Sequence, residues 1–201
     1  RKLDVYAKRS KLAYIRYSLS EKAARKMTDF IHGMREKKKD KFAACDFYGG
    51  IFWPGYKDEG SGCSAFGIAL LDAAGLLPEE SGDWLIKVNI PKNIIGGDLN
   101  NGKRVKNSYI KKQTTWHDGS GIANVDFVPF QIYEPSIMFD WILQKRKENY
   151  KNYIPEETDG VTGLYCDLKS KITVDSDSLF LSRPDKNAFI EYYFENIRSL
   201  D

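Results

Sequence analysis

Residues 47–62, FYGGIFWPGYKDEGSG, constrain this chain more than any other stretch. Five glycines and Pro54 in sixteen positions exclude a helix or a central strand there. The stretch reads as a long loop. Loops beyond ~12 residues in a compact domain are usually functional. It carries Phe47, Tyr48, Phe52, Trp53 and Tyr56. Such rings serve either as core or as the lining of a groove for a sugar or peptide. The loop feeds a helix predicted over 63–74, with Phe66, Leu70, Ala73, Ala74 and Leu77 at core spacing. Gly75 supplies its C-terminal cap and Pro78 forbids its continuation.

The rest of the chain alternates helices and strands. Residues 12–19 are rich in Tyr and Ile and predict a strand. Ser18 and Glu21 have capping-box spacing, and Met27, Phe30, Ile31 and Met34 then mark one face of a helix. The charged run REKKKDK at 35–41 reads as its solvated end. A strand is expected over 84–90, followed by turn-rich sequence over 91–107. Gly96-Gly97-Asp98 lacks the ending of a phosphate loop and the acidic spacing of a calcium loop, so it reads as a turn. Runs at 108–117 and 122–130 flank Asp118-Gly119-Ser120-Gly121, a hairpin signal. A helix opens at Pro135, a strand pair is expected at 164–168 and 171–174, and a final helix at 182–200, started by Arg183-Pro184-Asp185. Helices first and strands after predict an α+β fold with an antiparallel sheet. The organisation expected is one domain over 1–201, with a core about 12–134 and a C-terminal embellishment, a helical extension, about 135–201.

Composition narrows the function. The 201 residues carry 31 Lys+Arg and 28 Asp+Glu, a net charge of +3 spread over both signs, which gives no nucleic-acid footprint. Hydrophobic residues make up 42% and charged residues 29%, the balance of a globular chain. At this length roughly 70% of the unfolded surface can be buried, so folding needs neither disulfide nor metal. Three cysteines, Cys45, Cys63 and Cys166, exclude a disulfide scaffold, and none has zinc-like spacing. No cofactor or metal is expected. The longest apolar stretch, 66–77, is broken by Asp72 and falls short of the ~18 residues of a membrane span. The chain begins at Arg1 rather than Met, so a preceding segment is expected to have been removed.

Cys63 is the candidate nucleophile. At a helix start, unpaired N–H groups and the helix dipole favour negative charge, and a thiol there ionises readily. Gly60 and Gly62 allow close backbone approach, and nearby N–H groups can hold an oxyanion. The competing reading is a small buried thiol at a helix start. Of the two histidines, His32 falls on the polar side of its helix. His117 is the candidate base. If 118–121 form a four-residue loop, His117 pairs opposite Ile122, and alternation puts Asn124 and Asp126 on its face. Either would orient the imidazole as the third member of a triad.

Gly62-Cys63-Ser64-Ala65-Phe66 resembles the Asp-Cys-Ser-Gly-hydrophobic box of the NlpC/P60 branch of papain-like cysteine peptidases. Gly62 and Ala65 stand in place of the usual Asp and Gly. The resemblance covers about 49–130 and includes the order Cys, His, polar residue. It implies a papain-like fold, with N-terminal helices packed on an antiparallel sheet. It also implies Cys63 as nucleophile, His117 as base and Asp126 or Asn124 as orienting residue, with Gln131 a further candidate. Tyr48, Trp53, Tyr56 and Ser64 would then meet a peptide or peptidoglycan-like substrate, outside the cell or in its envelope. The permuted papain-like lipid amidases and acyltransferases are also similar, but their His precedes the Cys. Here that would require a His ahead of Arg1. A non-catalytic ligand- or glycan-binding module on the same scaffold is the alternative from another class.

Overall fold

The computed structural model describes residues 2–37, 42–49, 52–96, 100–171 and 178–184, with side chains from Asp4 onward. All but Lys171 of the strand expected at 171–174, nearly all of the helix at 182–200, the end of the 35–41 run and Gly97-Asp98 lie outside the described residues. The fold is mixed α and β. The chain divides into two units, Arg1–Trp84 with Tyr133–Arg183, and Leu85–Ile132 with Pro184–Asp201.

The first unit is built on three strands. A short helix, α1 (Lys2–Lys8), precedes β1 (Ala13–Ser18). β4 (Tyr153–Thr158) and β5 (Val161–Asp167) form a hairpin. Its turn is Asp159-Gly160, both at positive φ, the conformation a tight two-residue connection demands. β5 is central: it pairs antiparallel with β4 and parallel with β1, where Ile15 faces Leu164 and Tyr17 faces Cys166. The sheet is therefore mixed, not antiparallel as expected. Strand pattern reports which face is buried but carries no information about partner direction. Parallel neighbours need only a long connection, which the intervening residues supply.

Three helices complete this unit. α2 (Glu21–Arg35) is capped by Ser20, whose hydroxyl accepts the Ala23 N–H at 3.2 Å. The cap is Ser20, not Ser18, because β1 runs through Ser18. Phe30 and Met34 are buried as expected, while Met27 and Ile31 are half-buried. α3 (Cys63–Ala73) ends in a Schellman motif: Gly75, at φ 68°, donates to Asp72 O and Leu76 donates to Leu71 O, both at 2.8 Å. α5 (Pro135–Glu148) starts at the predicted proline and is capped by Glu134. Ala23, Ile68, Leu71, Trp84, Trp141, Ile142, Tyr153 and Leu164 share one core; Phe30, Met34, Ala44 and Ala69 form a second cluster. Trp141, Ile142, Tyr153 and Leu164 come from the stretch read as a C-terminal embellishment, so 135–168 supplies core and central strand.

The second unit holds β2 (Leu85–Pro91) paired with β3 (Phe127–Tyr133, whose last residue belongs to the first unit) and a single helical turn, α4 (Asn107–Ile110). The strand expected at 108–117 is absent: its start forms α4 and the remainder is irregular. Among the described residues no helix is long and apolar enough to cross a membrane.

Candidate functional site

Within the first unit the glycine-rich loop closes on itself and sets a tyrosine against a thiol. Tyr48 and Ser61 form a parallel bridge, with Ser61 N–H donating to Phe47 O at 3.1 Å. Only glycine fits at position 60, because a Cβ there would lie 2.0 Å from Phe47 O. This bridge places Tyr48 beside the start of α3. Its hydroxyl donates to Cys63 Sγ at 3.9 Å, and Ser64 Oγ lies 4.0 Å from the same sulfur.

Cys63 is exposed and is the first helical residue, as the sequence predicts. Gly62 offers no side-chain cap, so no cap side chain competes for the first-turn N–H groups. The Tyr48 hydrogen bond, then that of Ser64 and the backbone N–H groups of Ser64 and Cys63, hold the thiol below its ordinary value against a smaller opposing effect of burial. The same contact raises the Tyr48 phenol, which keeps its proton while the sulfur is negative. Cys45 is also exposed, whereas Cys166 is buried, which pushes its thiol up.

The aromatic side chains have divided roles. Phe47 and Phe52 are buried as core. Trp53 stacks on Tyr133, with ring centroids 5.8 Å apart. The Arg183 guanidinium lies over Tyr56, 4.6 Å from its ring centroid. Only Tyr48, 79% exposed, presents most of its surface.

Two residues that sequence reasoning missed hold the loop in place. Glu59, 3% exposed, accepts from Arg183 Nε at 2.6 Å, Arg183 Nη2 at 2.7 Å and Trp53 N–H at 3.1 Å. The neighbouring backbone adds Leu181 N–H to Gly55 O and Lys57 N–H to Leu181 O. An acid inside a glycine-rich loop was a visible signal, but its partner lies 124 positions away. Arg183, read as a helix starter, is that partner.

His117 belongs to the second unit, and its surroundings differ from those expected. The hairpin around 118–121 does not form, so the register that would place Asn124 and Asp126 beside the imidazole is lost. Asp126 accepts the Ile122 N–H at 2.7 Å instead, and Asn124 takes a turn conformation at φ 63°, donating its N–H to Phe127 O. Gln131 lies exposed on β3. The His117 ring stacks on Phe127 with centroids 4.9 Å apart. Its Nδ1 accepts the Gly119 N–H at 3.1 Å, and Asp118 Oδ1 is 3.5 Å from it. A neutral imidazole that accepts at Nδ1 carries its proton on Nε2, which is then a donor and not a base.

Among the described residues no three His, Cys, Asp or Glu side chains are grouped to hold a metal ion. Compared with family models, curated proteins and solved structures, the chain matches none.

Proposed function

We propose that this chain is a thiol hydrolase of amide bonds in which Cys63 is the nucleophile and Tyr48, rather than His117, handles the proton. One observation carries the reading: a donor hydroxyl is held on an exposed sulfur at an uncapped helix start. The thiolate adds to the substrate carbonyl, and first-turn N–H groups of α3 receive the oxyanion. The C–N bond breaks as the leaving amine takes the Tyr48 proton, leaving a thioester and a phenolate. Water then attacks the thioester and returns a proton to Tyr48, releasing the acid and the thiolate. A peptide or cell-wall peptide substrate in the cell envelope follows from the NlpC/P60 resemblance and belongs to the same proposal, as does a papain-like arrangement.

The test is the rate of Cys63 alkylation against pH in a Cys45→Ser, Cys166→Ser background. The expected thiol titrates below the ~8.5 of a free cysteine and moves upward in Tyr48→Phe. His117→Ala leaves the profile in place. Titration at the free-thiol value in both parent and Tyr48→Phe would end the proposal.

A second reading, a non-catalytic ligand- or glycan-binding module, is favoured by the engagement of His117 Nδ1. It predicts that Cys63→Ala leaves ligand binding intact and that no peptide amide is turned over by the parent.

A further inference from the structure

The Tyr48 hydroxyl and the Cys63 sulfur both depend on one short piece of backbone, residues 59–61. Ser61 N–H donates to Phe47 O at 3.1 Å, and Gly49 N–H donates to Ser61 O at 3.4 Å, so Tyr48 is gripped on both sides by the same residue. Gly60 passes so close to Phe47 O that no side chain fits between the two backbones. Two residues beyond Ser61, the chain starts α3 at Cys63. Most of the Tyr48 side chain is in solvent. Backbone position, more than packing, therefore decides whether its hydroxyl reaches the sulfur at 3.9 Å.

Glu59 fixes that piece of backbone in turn. Its buried carboxylate takes two charge-assisted bonds from the Arg183 guanidinium, a fork that admits one orientation. The same carboxylate accepts Trp53 N–H, and Glu59 N–H donates to Tyr56 O at 3.3 Å. Arg183 is itself anchored. It belongs to a segment, 178–183, that bridges Tyr56 at Leu181 and stacks Phe180 on the fully buried Phe30, with ring centroids 5.0 Å apart. A Cβ at Gly33, inside α2, would lie 2.6 Å from the Phe180 ring. The helix carries a residue that helices disfavour, and its missing side chain seats that ring.

Replacing both members of a buried ion pair with neutral groups often leaves stability unchanged or higher, so stability does not require such a pair. Its geometry is what the neutral groups lack. We infer that Arg183 and Glu59 are positioning residues for the Tyr48–Cys63 contact, acting through the 59–61 backbone. This role rests on the Tyr48–Cys63 reading of the site. Without the fork, 59–61 shifts against 47–49 and the Tyr48 hydroxyl leaves the sulfur. A residue 124 positions from Glu59 thereby governs how readily the thiol ionises.

Alkylation of Cys63 against pH, in the Cys45→Ser, Cys166→Ser background, tests this as a double-mutant cycle. Glu59→Gln with Arg183→Met removes one negative and one positive charge, so the net charge stays as it was and a shift reports position. The thiol titration moves upward in that variant by as much as in Tyr48→Phe, and combining the two adds nothing further. Arg183→Lys keeps the charge but loses the fork, and moves the profile upward by part of that shift. Leu164→Ala, in the central strand β5, leaves the profile in place. A paired variant that matches the parent while Tyr48→Phe shifts, or two shifts that add, would overturn the positioning role and leave the hydrolase reading standing. So would an equal shift in Leu164→Ala, or, where the paired variant does not fold, an Arg183→Lys profile identical with the parent's. Titration at the free-thiol value in both the parent and Tyr48→Phe ends the two together.

Discussion

The two units are held together by different physics. The first has a core: Ala23, Phe30, Ala74 and Leu164 are fully buried, and Trp84, Trp141 and Tyr153 pack ring against ring. Among its described residues the second buries Val88, Pro91, Ile95, Phe127 and Val128, pairs β2 with β3, and is otherwise rich in turns. Asn101, Gly102, Gly119, Gly121 and Asn124 all have positive φ, and Asp118 and Asp126 each satisfy a nearby backbone N–H. Burial makes a region intolerant of lost volume, whereas turn chemistry makes it intolerant of lost local hydrogen bonds. Cys63 is exposed and held by Tyr48, but it begins a helix whose Ile68, Ala69 and Leu71 are buried in the first unit's core. His117 stands on turn chemistry, with its Nδ1 engaged by the turn that holds it.

Substitutions that break one kind of support without the other should separate the units. Arg183→Met strands the buried Glu59 carboxylate and should cost about 3–5 kcal/mol in urea unfolding. Arg183→Met with Glu59→Gln recovers a large part of that loss. A single variant within 1 kcal/mol of the parent would show that the pair does not anchor the loop. Leu164→Ala empties the central strand of the first unit and should cost about 2–5 kcal/mol, with faster amide exchange in β1 and β4. Exchange at residues 117–126 should hardly change in that variant until global unfolding.

Asp126→Ala reverses the pattern. It frees the Ile122 N–H at a cost of about 1 kcal/mol, and proteolysis at 117–126 should accelerate while β5 keeps its protection. Equal loss of protection in both units would contradict the distinction. The smallest effects should come from pH. Partial desolvation raises the Asp72 carboxyl on α3, which still presents much of its surface, so the charged form carries a small, solvent-screened cost that appears as pH rises through the folded value. Asp72→Asn therefore stabilises at pH 7 and changes little at pH 3. The hydroxyl and N–H of Ser120 lower Asp118. Its contribution is present above the unfolded value and lost as pH falls through the folded one, so Asp118→Asn destabilises at pH 7 and not at pH 2. Thermal melts at the two pH values read both signs.

Legibility follows the range of the interaction. α3, its start at Cys63 and its Gly75 cap are written within a dozen residues, because helix dipole, cap and periodicity are local. β1 and α5 are legible for the same reason. The Asp159-Gly160 dipeptide is an equally local hairpin signal, yet the strand it closes, β4, is not among the strands the sequence reading above expects. The DGSG stretch fails in the opposite direction: its turn chemistry is genuine, but the following strand pairs with β2 instead of folding back. A turn signal specifies a bend and leaves the partner strand open.

By itself the sequence determined the mixed α and β character, the helix that begins at Cys63, and the absence of a membrane-length apolar helix from the described residues. All of these rest on neighbours within one or two turns of chain. Only tertiary structure decided that β5 is central and parallel to β1, that Arg183 reaches Glu59, and that Tyr48 rests on the Cys63 sulfur. It also decided that His117 accepts from Gly119 instead of meeting Asp126. Each of these depends on which distant or rival partner a group meets. Pairing energy depends on geometry, and residue type and spacing leave that geometry open.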